Sequence, residues 1–239
     1  MAKQTGIVLF TGKLENQVGY RRNGKYFIRA MPQKVQQTLA TRQSAREFGI
    51  ASRHAKLIRQ SVGPLLDMTP DNTFVNRLNK ALIGAGKSRL QDIRGFRFNK
   101  HTAVSQFFCE QPVSMPSGIW HIPAQKLPPR GNATHLHITA IAVRISFIQQ
   151  RILGSLARTV TIDLNEPFKG AELAINLPGS GTLLHILQVI TSLNQSTLAS
   201  RRHNAADIML VIPAISRPGK SAGTLTGTAL ADQVHLPSA

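Results

Sequence analysis

Ten cations stand between Arg21 and Arg59 against a single acid, Glu47. They are Arg21, Arg22, Lys25, Arg29, Lys34, Arg42, Arg46, Arg53, Lys56 and Arg59, a local net charge of +9 out of the chain's +18. Self-repulsion on this scale destabilises a compact state, and solvated faces ordinarily mix signs. These residue types therefore point to a polyanionic partner. Each Lys or Arg that neutralises a phosphate releases counterions, giving salt-dependent affinity with little sequence preference. Seven of the ten are Arg, whose planar guanidinium forks onto phosphate oxygens and stacks on bases. Tyr20 and Phe27 stand among the cations. Their rings suit either stacking of unpaired bases or packing on a neighbouring helix.

Two elements must position these side chains. Residues 6–31 read as β structure, with Asn23-Gly24 the strongest hairpin signal, since a type I′ turn needs positive φ at both central positions. A two-residue loop pairs Arg22 with Lys25 and Tyr20 with Phe27. One face then carries Val18, Tyr20, Arg22, Lys25, Phe27 and Arg29, and the other Gly19, Arg21, Tyr26 and Ile28. After Pro32, a helix is expected from Thr41, as its N-cap, to Val62. Ala45, Phe48, Ala51, Ala55, Ile58 and Val62 recur at helical spacing on one face. Arg42, Arg46, Arg53 and Lys56 gather opposite, and Ile50 and Leu57 lie between, available to a second contact. A second helix is expected to open at Thr69-Pro70-Asp71, with Phe74, Leu78, Ala81 and Leu82 as its apolar stripe. A short helix is expected near Leu90–Arg94.

From Gln111 onward the pattern changes. Pro112, Pro116, Pro123, Pro128 and Pro129 punctuate a connector. Strands are expected at Ile119–Ile122, Leu136–Phe147, Arg158–Leu164, Glu172–Leu177, Leu183–Leu193 and Asp207–Ile212. This spacing fits an α+β chain whose C-terminal half is an antiparallel β-sandwich of immunoglobulin-like size. The expected modules are a basic hairpin and helical module at 1–110, a β module at 111–215 and a flexible tail at 216–239. The charge follows this division, with 19 Lys and Arg against 6 acids in residues 1–110 and 10 against 5 beyond.

Other chemistry is thinly represented. Ala81–Ser88 and Ala214–Ser221 fit a permissive P-loop pattern, which requires a strand, a glycine-rich loop and then a helix. The first follows a helical stretch and the second precedes a poor helix, so nucleotide hydrolysis is not expected. His135 and His137 share one strand face as a possible metal pair, with no carboxylate or cysteine at ligand spacing. Asp163 and Glu166 flank a turn, where turn chemistry explains them better than acid–base work. Cys109, after Phe107-Phe108, reads as an inert packing thiol. With 11 acids in 239 residues, no catalytic constellation stands out and no cofactor is expected.

Composition supports the same class. A 42% apolar fraction supplies a core, and the isoelectric point near 11.4 falls in the nucleic-acid-binding range. One cysteine makes no internal disulfide. Ile7-Val8-Leu9-Phe10 is too short for a signal-peptide core, and no uncharged apolar stretch nears the roughly 18 residues of a membrane span. A soluble protein of the cytoplasm or a virion interior is expected.

The opening, Gly12-Lys13-Leu14-Glu15-Asn16-Gln17-Val18-Gly19-Tyr20, then Asn23-Gly24-Lys25, Ile28-Arg29-Ala30-Met31-Pro32, Thr41-Arg42-Gln43 and Arg46-Glu47-Phe48, resembles that of uncharacterised basic proteins of Bacteroidota. The resemblance spans about the first 60 residues. It implies a hairpin, a proline and a basic helix ahead of a β-rich half, and no activity. The expected function is non-enzymatic nucleic-acid binding, to RNA or DNA, on a ribosome, nucleoid or virion. The alternative is a structural assembly subunit whose basic face meets an acidic neighbour.

Overall fold

The computed structural model describes residues 2–32, 37–86, 89–193, 196–197 and 202–214. Lys34, the Lys87-Ser88 end of the first P-loop-like segment, the second beyond Ala214, the tail 216–239 and His235 lie outside the described residues. The fold is α+β, with two α-helices and antiparallel sheets among the described residues. Two compact units part between Ser52 and Arg53, inside the first helix.

The first unit is built on a four-stranded sheet. Its strands are β1 (Ala2–Lys3), β2 (Gly12–Leu14), β3 (Gln17–Arg22) and β4 (Lys25–Ala30), in the order β1-β4-β3-β2. Asn23 and Gly24 turn β3 into β4 at φ 49° and 77°, the positive values the hairpin loop requires. Residues 5–11 are not a strand, contrary to the β reading of the whole stretch from 6. They connect the two outer strands and are fixed at their base by Gln4. The Gln4 side-chain amide donates to the Phe10 and Phe27 carbonyls (3.1 and 2.9 Å), and its oxygen accepts from Phe10 N–H at 3.0 Å. Ile7, Val8 and Leu9 therefore stand exposed at 105%, 81% and 45%, where strand alternation would have buried every second side chain.

Helix α1 runs Leu39–Val62. Its cap is Thr38 and not Thr41: Thr38 Oγ1 accepts the Thr41 N–H at 3.2 Å, the third position of the first turn. The expected apolar stripe is buried only from Ala51 on. Ala45 and Phe48 are exposed, and Ala51, Ala55, Ile58 and Val62 are buried. Leu57 joins the buried set, which widens the covered arc toward the basic stripe.

In the second unit α2 spans Phe74–Ala85 and starts later than Thr69-Pro70-Asp71 suggested. Asp71 is drawn into other bonds. Its carboxylate accepts from Thr73 N–H and hydroxyl and from Lys100 N–H, and pairs with Arg77 at 2.5 Å. Single 3₁₀ turns follow α1 at Gly63–Leu65 and lie at Leu90–Ile93 and Val104–Phe107.

The remaining strands are β5 (Val113–Ser114), β6 (Ile119–Ile122), β7 (His135–Ser146), β8 (Arg151–Asp163), β9 (Ala171–Ala174), β10 (Thr182–Leu193), β11 (Ser196–Thr197) and β12 (Asn204–Ile212). β5, β6 and β9 form one antiparallel sheet, and β8, β7, β10, β11 and β12 another. β8 begins seven residues earlier than expected, because Phe147–Gln150 turns tightly, with Gln150 at φ 54°. One core joins Trp120, Ile122, Leu173, Phe107 and Phe108 to Leu136, Ile138, Leu183 and Leu187 of the larger sheet. By alternation the opposite face buries Ile141, Val143, Leu184 and Ile186. That double burial explains why β10 reads as a continuous apolar run.

The two edges of the larger sheet differ. On the β12 side, Gly95 and Phe98 N–H donate to the Ile208 and Ala206 carbonyls, and Ile208 N–H to the Phe96 carbonyl. Along β8, by contrast, the described residues supply no second strand partner. β8 carries a bulge at Leu153, where the register shifts, and the charged Arg158 in its middle; both discourage pairing.

Candidate nucleic-acid interface

The first unit gathers the hairpin cations on one side of its sheet. Residues directly opposite across antiparallel strands project to the same face. Arg22 lies opposite Lys25, Tyr20 opposite Phe27 and Val18 opposite Arg29, as expected of the two-residue turn. The outer strands extend each row. Lys3 of β1 lies opposite Phe27, and Lys13 of β2 lies opposite Val18. Five exposed cations, Lys3, Lys13, Arg22, Lys25 and Arg29, thus surround two half-buried rings. The Tyr20 and Phe27 centroids are 5.8 Å apart with planes at 24°. None of the four strands contains an acid.

The other face is partly covered. A side chain on Gly19 would point at Phe10, so Phe10 lies on the face of Gly19, Arg21, Tyr26 and Ile28. Arg21 lies here, its guanidinium carbon 5.6 Å from the Tyr26 ring centroid. It does not join the other hairpin cations.

Arg42 and Arg46 of the first unit and Arg53, Lys56 and Arg59 of the second are all exposed on α1. At about 100° per residue, Arg42 and Arg46 fall on one side of the helix within the first unit, and Arg53 and Lys56 on one side within the second, with Arg59 about 60° from Lys56. Glu47 accepts from the Gln43 side-chain amide at 3.0 Å. Among the described residues, no cation between Arg21 and Arg59 forms an ion pair. Sequence reasoning missed Lys3 and Lys13. Their strands hold two and three residues, too few for any periodicity, and only the pairing register reveals them.

The other chemistry-bearing groups are engaged elsewhere. His137 Nδ1 lies 2.9 Å from Thr161 Oγ1 and its Nε2 2.8 Å from Ser192 Oγ, so neither nitrogen is open to a metal. Burial, and secondarily His135, lower its pKa against the pull of Asp67. Asp163 accepts from Asn165 N–H at 2.8 Å, the expected turn bond. Ser114 Oγ lies 2.6 Å from Nδ1 of His185, a nucleophile–base distance. His185 is nevertheless fully buried, and its Nε2 has no partner, so no carboxylate orients the ring. Burial and then Arg144 hold its pKa at about 4. Cys109 is exposed and donates weakly to the Lys126 carbonyl, which corrects its reading as a packing thiol. Ala81–Ala85 are the last turn of α2, capped by Gly86 at φ 63°, so helix precedes the glycines where a P-loop needs a strand.

No family model, curated protein or solved structure matches the chain. Among the described residues no helix is long and apolar enough to cross a membrane.

Proposed function

We propose that the protein is a non-enzymatic nucleic-acid-binding protein that holds phosphates without sequence preference, in the cytoplasm or inside a virion. The observation that carries this reading is one face of the four-stranded sheet, whose strands hold no acid, with Lys3, Lys13, Arg22, Lys25 and Arg29 exposed together. Arg42 and Arg46 of the first unit, and Arg53 and Lys56 of the second, supply further exposed cations. The strands of the second unit are read as a β-sandwich that gives bulk and protein contacts, supported by the core shared between its two sheets. The test is anisotropy of a labelled mixed-sequence oligonucleotide across a salt series. Affinity should fall linearly on a log–log plot, with a slope of roughly −0.7 to −0.9 per phosphate neutralised. No binding at low salt to either RNA or DNA would end the proposal.

A second reading, a structural assembly subunit, is favoured by the exposed Ile7, Val8 and Leu9. Ordered polymers of the concentrated protein without nucleic acid, seen by electron microscopy, would support it.

A further inference from the structure

We infer that the ligand of the β1–β4 face is unpaired nucleic acid, with bases stacking on Tyr20 and Phe27 while the five surrounding cations hold the phosphates. This rests on the nucleic-acid reading and narrows it to single strands. The first argument is composition by row. The aromatic pair occupies the middle row, with Arg22 and Lys25 on one side and Val18, Arg29 and Lys13 on the other. Successive rows lie about 7 Å apart along a strand. A chain running along β3 and β4 thus meets cation, ring and cation in turn. Base–aromatic stacking tolerates any sequence because every base has a π-face.

The second argument is width. Four strands at about 4.8 Å spacing span about 14 Å before side chains are added. The major groove of B-DNA, about 12 Å wide, admits a helix or a two-stranded ribbon. The outer strands β1 and β2, together with Phe10 on the far face, keep this sheet from entering it. The rings in the middle row therefore cannot reach bases inside a duplex, whereas unpaired bases can reach the rings. The third argument is side-chain state. Both rings are only half-buried, and they already lie within 24° of parallel.

The test compares full-length wild type with Tyr20→Leu, Phe27→Leu and the double Tyr20→Ala/Phe27→Ala variant. Leucine keeps apolar bulk on the sheet if the alanine variant does not fold. The probes are a labelled 20-nucleotide mixed-sequence single strand and the duplex of the same sequence, at low salt. The expected result is tighter binding of the single strand, with a loss of roughly tenfold per ring removed. Duplex affinity should stay within about twofold of wild type in all variants, since phosphate contacts alone remain. Equal affinity for both probes, or leucine variants that bind the single strand like wild type, would overturn the inference and leave the phosphate-binding reading standing. Absence of binding to both probes would overturn both.

Discussion

Gly19 lies so close to Phe10 that a β-carbon on it would stand 2.5 Å from the Phe10 carbonyl oxygen and 2.8 Å from its ring. Phe10 is tied to Gln4, so it cannot withdraw without breaking that bond. Gly19→Ala should destabilise the first unit by about 1–3 kcal/mol through overpacking. Gly84, inside α2, has open space around the same added carbon. Gly84→Ala should stabilise the second unit by roughly 0.5–1 kcal/mol through helix propensity. Urea denaturation of both variants checks the opposite signs, and equal shifts would refute the argument.

Asp71 anchors the segment ahead of α2. Burial alone would raise its pKa, but bonds from Thr73, Lys100 N–H and Arg77 outweigh it and hold the carboxyl well below the usual range. The folded pKa lies below the unfolded one, so its contribution is present above about pH 4 and is lost as pH falls further. Asp71→Asn should destabilise the second unit by about 2–4 kcal/mol at pH 7, leaving Arg77 with the Arg97 and Phe98 carbonyls but no charged partner. Guanidinium unfolding followed by Trp120 fluorescence measures this, since the chain's single tryptophan is fully buried in that unit.

Two buried groups pull in opposite directions on acidification. Burial raises Asp207 to about 6, against the Val104 N–H bond and Arg97. The folded state then binds the proton more tightly, so stability rises as pH falls from about 6 toward 3.8. His185 is held at about 4, so the unfolded state binds its proton more tightly and stability falls from pH 6.5 toward 4. The wild type should be nearly flat through this window. Asp207→Asn keeps the acceptor for Val104 and removes the buried charge. It should be more stable at pH 7 by on the order of 1–3 kcal/mol and lose stability steadily toward pH 4. A flat profile in that variant would contradict the assignment.

Lys3 and Lys13 should matter as much as the hairpin cations. Neutralising each to Gln should reduce the salt slope of oligonucleotide binding by about 1. Arg94→Gln, an exposed cation of the second unit, should leave the slope unchanged. Lysine variants with wild-type slopes would remove the outer strands from the interface.

The hairpin and its facing pairs were legible because Asn23-Gly24 dictates one turn, and the turn dictates register. The strand expected at Leu136–Phe147 was met by β7, His135–Ser146. What escaped was set by distant partners. Nothing local in Lys3 or Lys13 says which strand each will meet. Phe48 fits the apolar stripe of α1 by spacing, yet its exposure depends on where the covering residues stop. Asp71 looked like part of a helix start because its partner Lys100 is 29 residues away.

The unequal edges of the larger sheet set a valence. Endless growth by strand addition requires each subunit to offer two free edges. Among the described residues, the middle of β12 is already bonded to residues 95–98, whereas β8 pairs only with β7. Two copies joined along β8 would show the outside nothing but their β12 sides. Beyond a pair, growth of the larger sheet would have to displace the bonds that residues 95–98 make along β12.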